Sequence, residues 1–352
     1  MWDLRDMNLD DMEALMRGLG EPAYRARQLF AWVHGKGAVS FAQMSDLPTE
    51  LRRQMAALTG IGNMEVVRQQ RSKDGKTVKY AFELPDGQIV ESVVMEYDKD
   101  RSRDRVTICV SSQVGCAMNC SFCATGQSGF VRNLSVGEIV GQVLEADRLG
   151  QQVDPGFRIS NVVFMGMGEP LANYYQVLKA IRILNHPVGL HISFRRITVS
   201  TCGLVPQIRK LAAEKLPVVL AVSLHAARDG LRNRLLPINE RYPLEELKQA
   251  CQEYARLTGR RLTFEYILIK DLNDHPEDAS DLGAFLRGIP ANVNLIPFNP
   301  VEGIGYERSP RHRVRQFSGI LERNGVEAVV REEKGVDIEA ACGQLRRRLL
   351  KG

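Results

Sequence analysis

Cys116-Ala-Met-Asn-Cys120-Ser-Phe-Cys123 places three thiols within eight residues, and the reading of this stretch decides how the rest of the chain is understood. Thiolates are soft ligands that select zinc, copper(I) or iron-sulfur clusters, and this C-x3-C-x2-C spacing lets one short loop wrap a single inorganic core. Structural zinc sites close with two C-x2-C pairs or with Cys and His together, and the sequence offers no second pair or nearby histidine. Three ligands leave one position open. A [4Fe-4S] cluster on Cys116, Cys120 and Cys123 would expose one iron to a small molecule, whereas a cluster used only for electron transfer normally has its full ligand set. The chain has seven cysteines, an odd number with three crowded together, which does not read as a disulfide framework. A reducing compartment also suits an oxygen-sensitive cluster.

Outward from this loop, short apolar runs alternate with helical segments from Val106 onward, the pattern of βα units around a parallel sheet. Six strands are expected at 107–111, 161–165, 196–200, 218–223, 262–269 and 293–297, with a last one at 328–331. Ser135-Val-Gly-Glu138 is a capping box that opens a helix to about residue 149, and Pro206, Pro243 and Pro276 each suit a first helical turn. Six units are fewer than the eight of a closed barrel, so the fold class is α/β with an incomplete (β/α)6 barrel. Loops after the strands carry the site in such folds. The cluster loop follows the first strand directly. Phe164-Met-Gly-Met-Gly-Glu-Pro170 brings Gly168 and Glu169 to the end of the second strand, close backbone approach beside a partner for an ammonium group. Ser200 ends the third, Ser223-Leu224-His225 the fourth, and Asn299 lies after the sixth. Each reads singly as a strand-end hydrogen bonder, but a bound cofactor needs several orienting polar groups from one rim.

Before the barrel, residues 8–59 keep helical spacing of apolar side chains, with Thr49 placed to cap a third helix over 51–58. Two Val-, Tyr- and Phe-rich runs, 77–84 and 88–97, flank Pro85-Asp86-Gly87 as a hairpin. The expected organisation is a helical accessory domain at 1–60, a hairpin extension at 61–101, the core barrel at 102–336 and a C-terminal segment at 337–352. No apolar run reaches membrane-spanning length and the first residues lack a signal-peptide pattern, so a cytoplasmic location without a membrane partner is expected. A net charge of +5 is only mildly basic, but Arg52-Arg53, Arg195-Arg196, Arg260-Arg261 and the runs 68–79, 99–105, 308–315 and 346–351 are local basic clusters. Such clusters favour a polyanion such as RNA, although many charge runs are solvated faces.

Four cysteines remain outside the loop: Cys109, Cys202, Cys251 and Cys342. Free cysteines are usually small buried hydrophobes, which suits Cys251 and Cys202. Cys109 lies on the first strand and Cys342 in a glycine-containing turn beyond the last, ends that a curled sheet can bring together. Spacing alone leaves a paired role and two unrelated thiols both open.

The C-x3-C-x2-C motif with Phe122 before its last cysteine resembles that of the radical S-adenosylmethionine (SAM) enzymes. Together with Tyr24-Arg-Ala-Arg-Gln-Leu-Phe-Ala-Trp, Cys109-Val-Ser-Ser-Gln-Val-Gly-Cys116, Gly166-Met-Gly-Glu-Pro170, Ser223-Leu-His225 and Ala340-Ala-Cys-Gly-Gln-Leu345, it makes the chain similar, nearly end to end, to the bacterial radical SAM methyltransferases that modify carbon 2 of an adenosine in 23S ribosomal RNA and, in many members, in transfer RNA. The resemblance implies a [4Fe-4S] cluster on Cys116, Cys120 and Cys123, and two SAM molecules per turnover. It implies SAM contacts at Gly168, Glu169, Ser200, Ser223, Leu224, His225 and Asn299. Cys342 would accept a methyl group, Cys109 would be the resolving thiol and Glu91 the proton acceptor, although a hairpin glutamate reads equally well as an exposed strand carboxylate. Adenine C2 is electron-poor, so ordinary attack on a methyl sulfonium is unavailable, and the resemblance implies radical addition through a methylene on Cys342. Cys109 would then release the product as a disulfide forms. A one-electron donor such as flavodoxin and a monomeric enzyme go with this reading. Two alternatives stay open: the related enzymes that methylate carbon 8 of the same adenosine, and a zinc-stapled RNA-binding protein without catalysis.

Overall fold

In the computed structural model, which describes residues 2–62, 64–97 and 105–345, Asn8 opens the first helix with a reciprocal cap. Its side chain accepts from Asp11 N at 2.9 Å while the Asp11 carboxylate accepts from Asn8 N at 3.0 Å, so two otherwise orphaned donors are satisfied. The amino-terminal region comprises β1 (Trp2–Asp3), α1 (Leu9–Gly18), α2 (Tyr24–Phe30), α3 (Thr49–Leu58) and β2 (Thr59–Gly60), which pairs in parallel with β1. Thr49 does not cap α3. It is the helix's first residue, after Pro48, and its hydroxyl accepts from Arg52 Nη2 at 3.1 Å. With Pro48 as its N-cap the helix starts at Thr49, two positions earlier than the polar side chain suggested.

The chain then runs through β3 (Glu65–Arg71), β4 (Thr77–Glu83) and β5 (Ile89–Glu96), an antiparallel meander. The expected hairpin is β4–β5, and β3 extends it by a strand. Polar Glu-Val-Val-Arg-Gln-Gln-Arg hides its β character, because β3 is the edge strand of the sheet and keeps charged side chains in water. Next come β6 (Val106–Cys109), the small ribbon of β7 (Gln113–Gly115) and β8 (Phe130–Asn133) with the short α4 (Ala124–Gln127) between them, and α5 (Val136–Val153). The Ser135–Glu138 capping box forms as expected, with Glu138 N to Ser135 Oγ at 3.1 Å and Ser135 N to Glu138 Oε2 at 2.9 Å.

Alternation follows: β9 (Asn161–Phe164), α6 (Tyr174–Asn185), β10 (Ile197–Thr201), α7 (Val205–Ala213), β11 (Val219–Ser223), α8 (Asp229–Leu235), α9 (Leu244–Thr258), β12 (Leu262–Leu268), α10 (Pro276–Leu286), β13 (Ala291–Pro297), α11 (Arg311–Arg323) and β14 (Glu327–Val330). Among the described residues these strands form one ten-stranded sheet in the order β14-β13-β12-β11-β10-β9-β6-β5-β4-β3. From β6 to β14 the neighbours are parallel and in chain order, so the sheet curls in one direction as βα units accumulate. Burial on both faces explains the apolar strands, as in Val-Leu-Ala-Val of β11.

The amino-terminal helices pack against α5. Arg5 Nη2 donates to Glu145 Oε1 at 2.8 Å with both side chains buried, and Asp6 Oδ1 accepts from Gly137 N at 2.6 Å. An acidic side chain at the first turn of α5 also complements the helix dipole. Among the described residues no helix is long and apolar enough to cross a membrane. The basic runs at 99–105 and 346–351 lie outside the described residues except for Arg105.

Candidate cluster and cofactor site

Gly115 ends β7 with φ +74°, and a Cβ there would lie 1.8 Å from Gly129 O, so only glycine lets the chain turn into the cysteine loop. Cys116 N donates to Gly129 O at 2.9 Å, Ser121 N to Leu235 O at 3.0 Å and Cys123 N to Cys120 O at 3.1 Å. The loop is thus held by its backbone, which leaves the three thiols as walls of one cleft. The cleft opens to solvent, and its walls join the cysteine loop to the carboxyl ends of four strands: Gly168 and Glu169 after β9, Ser200 and Cys202 at the end of β10, Ser223 and His225 at the end of β11, and Ile267 on β12. Burial pushes the Cys116 thiol up to about 12 and Cys120 well above its ordinary value, with neighbouring thiols and Glu169 acting in the same direction. Such thiols become ligands by giving their protons up to a metal centre. Among the described residues no three His, Cys, Asp or Glu side chains are arranged to hold a single metal ion. Cys116, Cys120 and Cys123, three soft donors on one loop that walls an open cleft, would hold a [4Fe-4S] cluster and leave one of its irons to a ligand in that cleft.

Polar groups from successive strand ends face the same cleft. Gly168 has φ +100°, and a Cβ would lie 2.5 Å from Gln113 Cβ, so the loop after β9 lies tightly over β7. Gln113 Oε1 accepts from Glu169 N at 2.8 Å, which fixes the next residue. Glu169 is buried. Its Oε1 accepts from Leu171 N at 3.0 Å and its Oε2 from Cys202 N at 2.8 Å. Burial raises its pKa while these backbone N–H groups oppose the shift, and an ammonium ligand in the cleft would compensate the charge. Ser200 and Ser223 also line the cleft, their hydroxyl oxygens 3.5 Å apart.

His225 adopts a left-handed backbone, φ +60°, just beyond β11. Its Nδ1 accepts from Ile267 N at 3.0 Å, so the proton of the neutral ring sits on Nε2. Burial lowers its pKa to about 3. The imidazole meets Phe122 edge-on, centroids 4.7 Å apart, which couples the fourth strand to the cysteine loop. Leu224 is different: its side chain is fully buried in the core, it is not a wall of the cleft, and its carbonyl accepts from Arg232 Nε at 3.1 Å.

Asn299 faces a second cavity, which also has Cys109, Val93, Arg331 and Cys342 in its walls. Its Oδ1 is buried and makes no hydrogen bond, an acceptor left for a ligand. The two cavities share Met165, Glu265, Ile296 and Cys342. Cys342 is exposed to these spaces, whereas Cys109, the last residue of β6, is buried. Burial raises the pKa of the Cys109 thiol, reinforced by Cys342. The protein walls around the Cys342 sulfur raise its pKa in the same direction even though the residue opens onto the cavities, opposed there by Arg331. The segment carrying Cys342 is tied down on three sides. Ala124 N donates to Gly343 O at 2.9 Å, Gln344 Nε2 to Pro300 O at 2.9 Å and Lys79 Nζ to Glu339 O at 3.2 Å.

Glu91 is not an exposed strand carboxylate. It is buried on β5, on the face that carries Val93 opposite Cys109, and its Oε1 lies 3.3 Å from the equally buried Lys79 Nζ. It is not a wall of either cavity. Cys251 is fully buried in α9 as expected, while Cys202 is buried and also walls the first cleft. Sequence reasoning missed Arg232, which is fully buried and donates to the carbonyls of Cys202 at 2.6 Å and Ser223 at 3.2 Å, bracing two strand ends. Nothing in Asp-Gly-Leu-Arg-Asn-Arg-Leu separates it from the exposed Arg234 two residues on.

Comparison with known proteins gives matches along almost the whole chain. Residues 110–282 match the family model of the Radical SAM superfamily, and residues 2–61 that of the ribosomal RNA large subunit methyltransferase N-terminal domain. The probable dual-specificity RNA methyltransferase RlmN of Moorella thermoacetica is 50% identical over 344 residues, covering 98% of this chain and 97% of that one. The protein of the same description from Desulfitobacterium hafniense strain DCB-2 is 48% identical, covering 99% and 97%. A crystal structure of a radical SAM methyltransferase from Sphaerobacter thermophilus superposes with a TM-score of 0.93 at 46% identity, covering 98% of this chain and 99% of that one.

Proposed function

Because the chain belongs to the RlmN family of radical SAM dual-specificity RNA methyltransferases, we propose that it methylates carbon 2 of an adenosine in 23S ribosomal RNA and of an anticodon-loop adenosine in transfer RNA. One observation supports the reading above others: Cys342 is a wall of both cavities, facing the cysteine loop and Glu169 on one side and Cys109 on the other. A side chain that collects a group in one chamber and delivers it in another needs this position.

The residues divide the work accordingly. Cys116, Cys120 and Cys123 hold the [4Fe-4S] cluster. Glu169 receives the ammonium of SAM, while Gly168, Ser200, Ser223, His225 and Asn299 orient the rest of it and Leu224 acts through its backbone. When bound, the cluster and SAM supply the methyl group and the radical that activates it. Cys342 carries the methyl carbon to adenine C2, and Glu91 takes the proton that leaves C2. The adduct gives up one electron along with that proton. Attack by the Cys109 thiolate on the Cys342 sulfur then forms the disulfide and breaks the sulfur–carbon bond, whose electron pair stays on the methylene carbon and takes up a proton to complete the methyl group. Two electrons from external reductant restore both thiols. Lys79 sets the relation between Glu91 and the backbone at Glu339. A one-electron donor such as flavodoxin completes the cycle.

Mass spectrometry of adenosines from ribosomal and transfer RNA of a strain lacking this chain tests the proposal. Loss of 2-methyladenosine from both RNAs is expected. Loss of 8-methyladenosine alone would assign the carbon-8 reaction, and unchanged adenosines would remove the proposed activity.

A further inference from the structure

The arginine run at 308–315 is divided by the fold. Arg313 turns to Asp271 and Asp274, at 2.7 and 2.9 Å, whereas Arg308, Arg311 and Arg315 line a cleft at the carboxyl ends of β13 and β14. The cleft faces the start of α11, a helix of 13 residues whose N-cap is Pro310, with no side-chain cap and no acidic residue in its first turn. The positive end of the helix dipole is therefore complemented by nothing from its own first turn. Ser309, in the wall of the same cleft, is only 2% exposed, and its hydroxyl makes no hydrogen bond. A buried hydroxyl without a partner is uncommon in a folded protein and marks a place for a ligand oxygen. Two carboxylates stand at the margin. Glu333 pairs with Arg308, and Glu332 also lines the cleft. Arg308, Arg311 and Arg315 are all exposed, and partial desolvation together with the Arg311 charge beside it pushes Arg308 below its ordinary pKa.

We propose that this cleft binds a backbone phosphate of the substrate RNA, with Arg311, Arg315, the Ser309 hydroxyl and the first N–H groups of α11 as its donors. The inference rests on the RNA methyltransferase reading and names the phosphate subsite for it. An RNA strand is favoured over a small phosphate ester by location: the cleft shares Arg331, Glu332 and Glu333 with the cavity that holds Cys109 and Cys342. A phosphate there sits one wall away from the base being modified, where backbone contacts set register and leave sequence reading to other groups.

The test is fluorescence anisotropy of the whole protein with a labelled RNA hairpin carrying a loop adenosine, measured over a series of salt concentrations. Arg311→Ala/Arg315→Ala is expected to bind about tenfold more weakly at low salt and to lower the log–log salt slope by about 1, the signature of a lost phosphate contact. Ser309→Ala should weaken binding a few-fold with an unchanged circular dichroism spectrum. Arg260→Ala/Arg261→Ala, just before β12 at the opposite end of the sheet, should leave both quantities unchanged. Equal slopes for wild type and the Arg311/Arg315 variant would overturn the subsite while leaving RNA binding intact, as would an equal loss in the Arg260/Arg261 variant. A wild-type protein that binds the hairpin without salt dependence would instead overturn the RNA reading itself. Calorimetric titration with inorganic phosphate at matched ionic strength separates the two sources of the anion. No saturable heat is expected, and saturable binding lost in Arg311→Ala/Arg315→Ala would assign the cleft to free phosphate.

Discussion

Lys79 Nζ lies 3.3 Å from Glu91 Oε1, with both side chains almost fully buried, and the same ammonium donates to Glu339 O at 3.2 Å. One cation therefore links the meander to the segment that presents Cys342. Ala81 faces Glu91 across the two strands, so the pair is a diagonal contact between β4 and β5 on one face of the sheet. Neither residue advertises this in sequence, where Lys79 is one more cation in a basic run.

Removing one partner of a buried ion pair leaves the other charge in protein with its solvation lost, at a cost of about 3–5 kcal/mol, whereas removing both costs much less. Lys79→Met is therefore expected to lower stability by that order in urea unfolding, and Lys79→Met/Glu91→Gln to recover most of it. A double-mutant cycle measures the coupling directly. Additive losses would show that the two side chains do not act as a pair.

The cysteine loop is held by backbone hydrogen bonds to Gly129 and Leu235, independent of its thiols. Cys116→Ala, Cys120→Ala and Cys123→Ala should each abolish iron and labile sulfide in anaerobically purified protein while leaving the circular dichroism spectrum unchanged. Full iron occupancy in any of the three would remove that cysteine from the ligand set.

Much of the fold was legible because local rules and tertiary context agree. The Ser135–Glu138 box, the parallel order of the strands and the placement of Glu169, Ser200, Ser223 and His225 at successive strand ends all follow from period, caps and turn chemistry. Thr49 misled because proline's backbone overrode a polar side chain at the helix start. β3 was hidden because an edge strand can be as polar as a loop. Leu224 illustrates a different limit. Alternation along β11 continues into the turn and buries its side chain between two cleft-facing neighbours, Ser223 and His225. The roles of Arg232 and Lys79 are invisible in sequence, because a buried cation is distinguished from an exposed one only by its partners.

His34 gives the amino-terminal helices an acid sensitivity with a definite sign. The ring is 1% exposed, its Nε2–H donates to Met7 O at 3.0 Å, and Phe30 packs against it at 4.5 Å. Burial lowers its pKa from 6.5 to about 3, with Arg5 and His186 nearby acting in the same direction. Between these values the unfolded chain binds the proton and the folded one does not, so stability falls as pH drops below about 6.5. The loss should approach 1.4 kcal/mol per pH unit, or about 2 kcal/mol by pH 5. His34→Gln, which keeps a donor for Met7 O, should flatten this part of the urea-stability profile. An unchanged pH slope in the variant would place the acid sensitivity elsewhere.

Cys109 and Cys342 wall one cavity from different parts of the chain, and in the proposed reaction they act at different times, so their variants should fail differently. Cys342→Ala removes the methyl acceptor. No carbon reaches RNA and no adduct forms. Cys109→Ala preserves every step up to attachment: Cys342 is still methylated and its methylene still adds to adenine, but no thiolate remains to break the sulfur–carbon bond. Enzyme should then accumulate joined to RNA through Cys342, visible as a nuclease-sensitive band that survives denaturing electrophoresis, and Cys109→Ala/Cys342→Ala should show none. Alanine at 109 removes only a sulfur from the end of β6, a small cavity that the thermal midpoint will register separately from the chemistry. Normal turnover by Cys109→Ala, or lost activity with no trapped band, would return Cys109 to the role of a buried apolar residue.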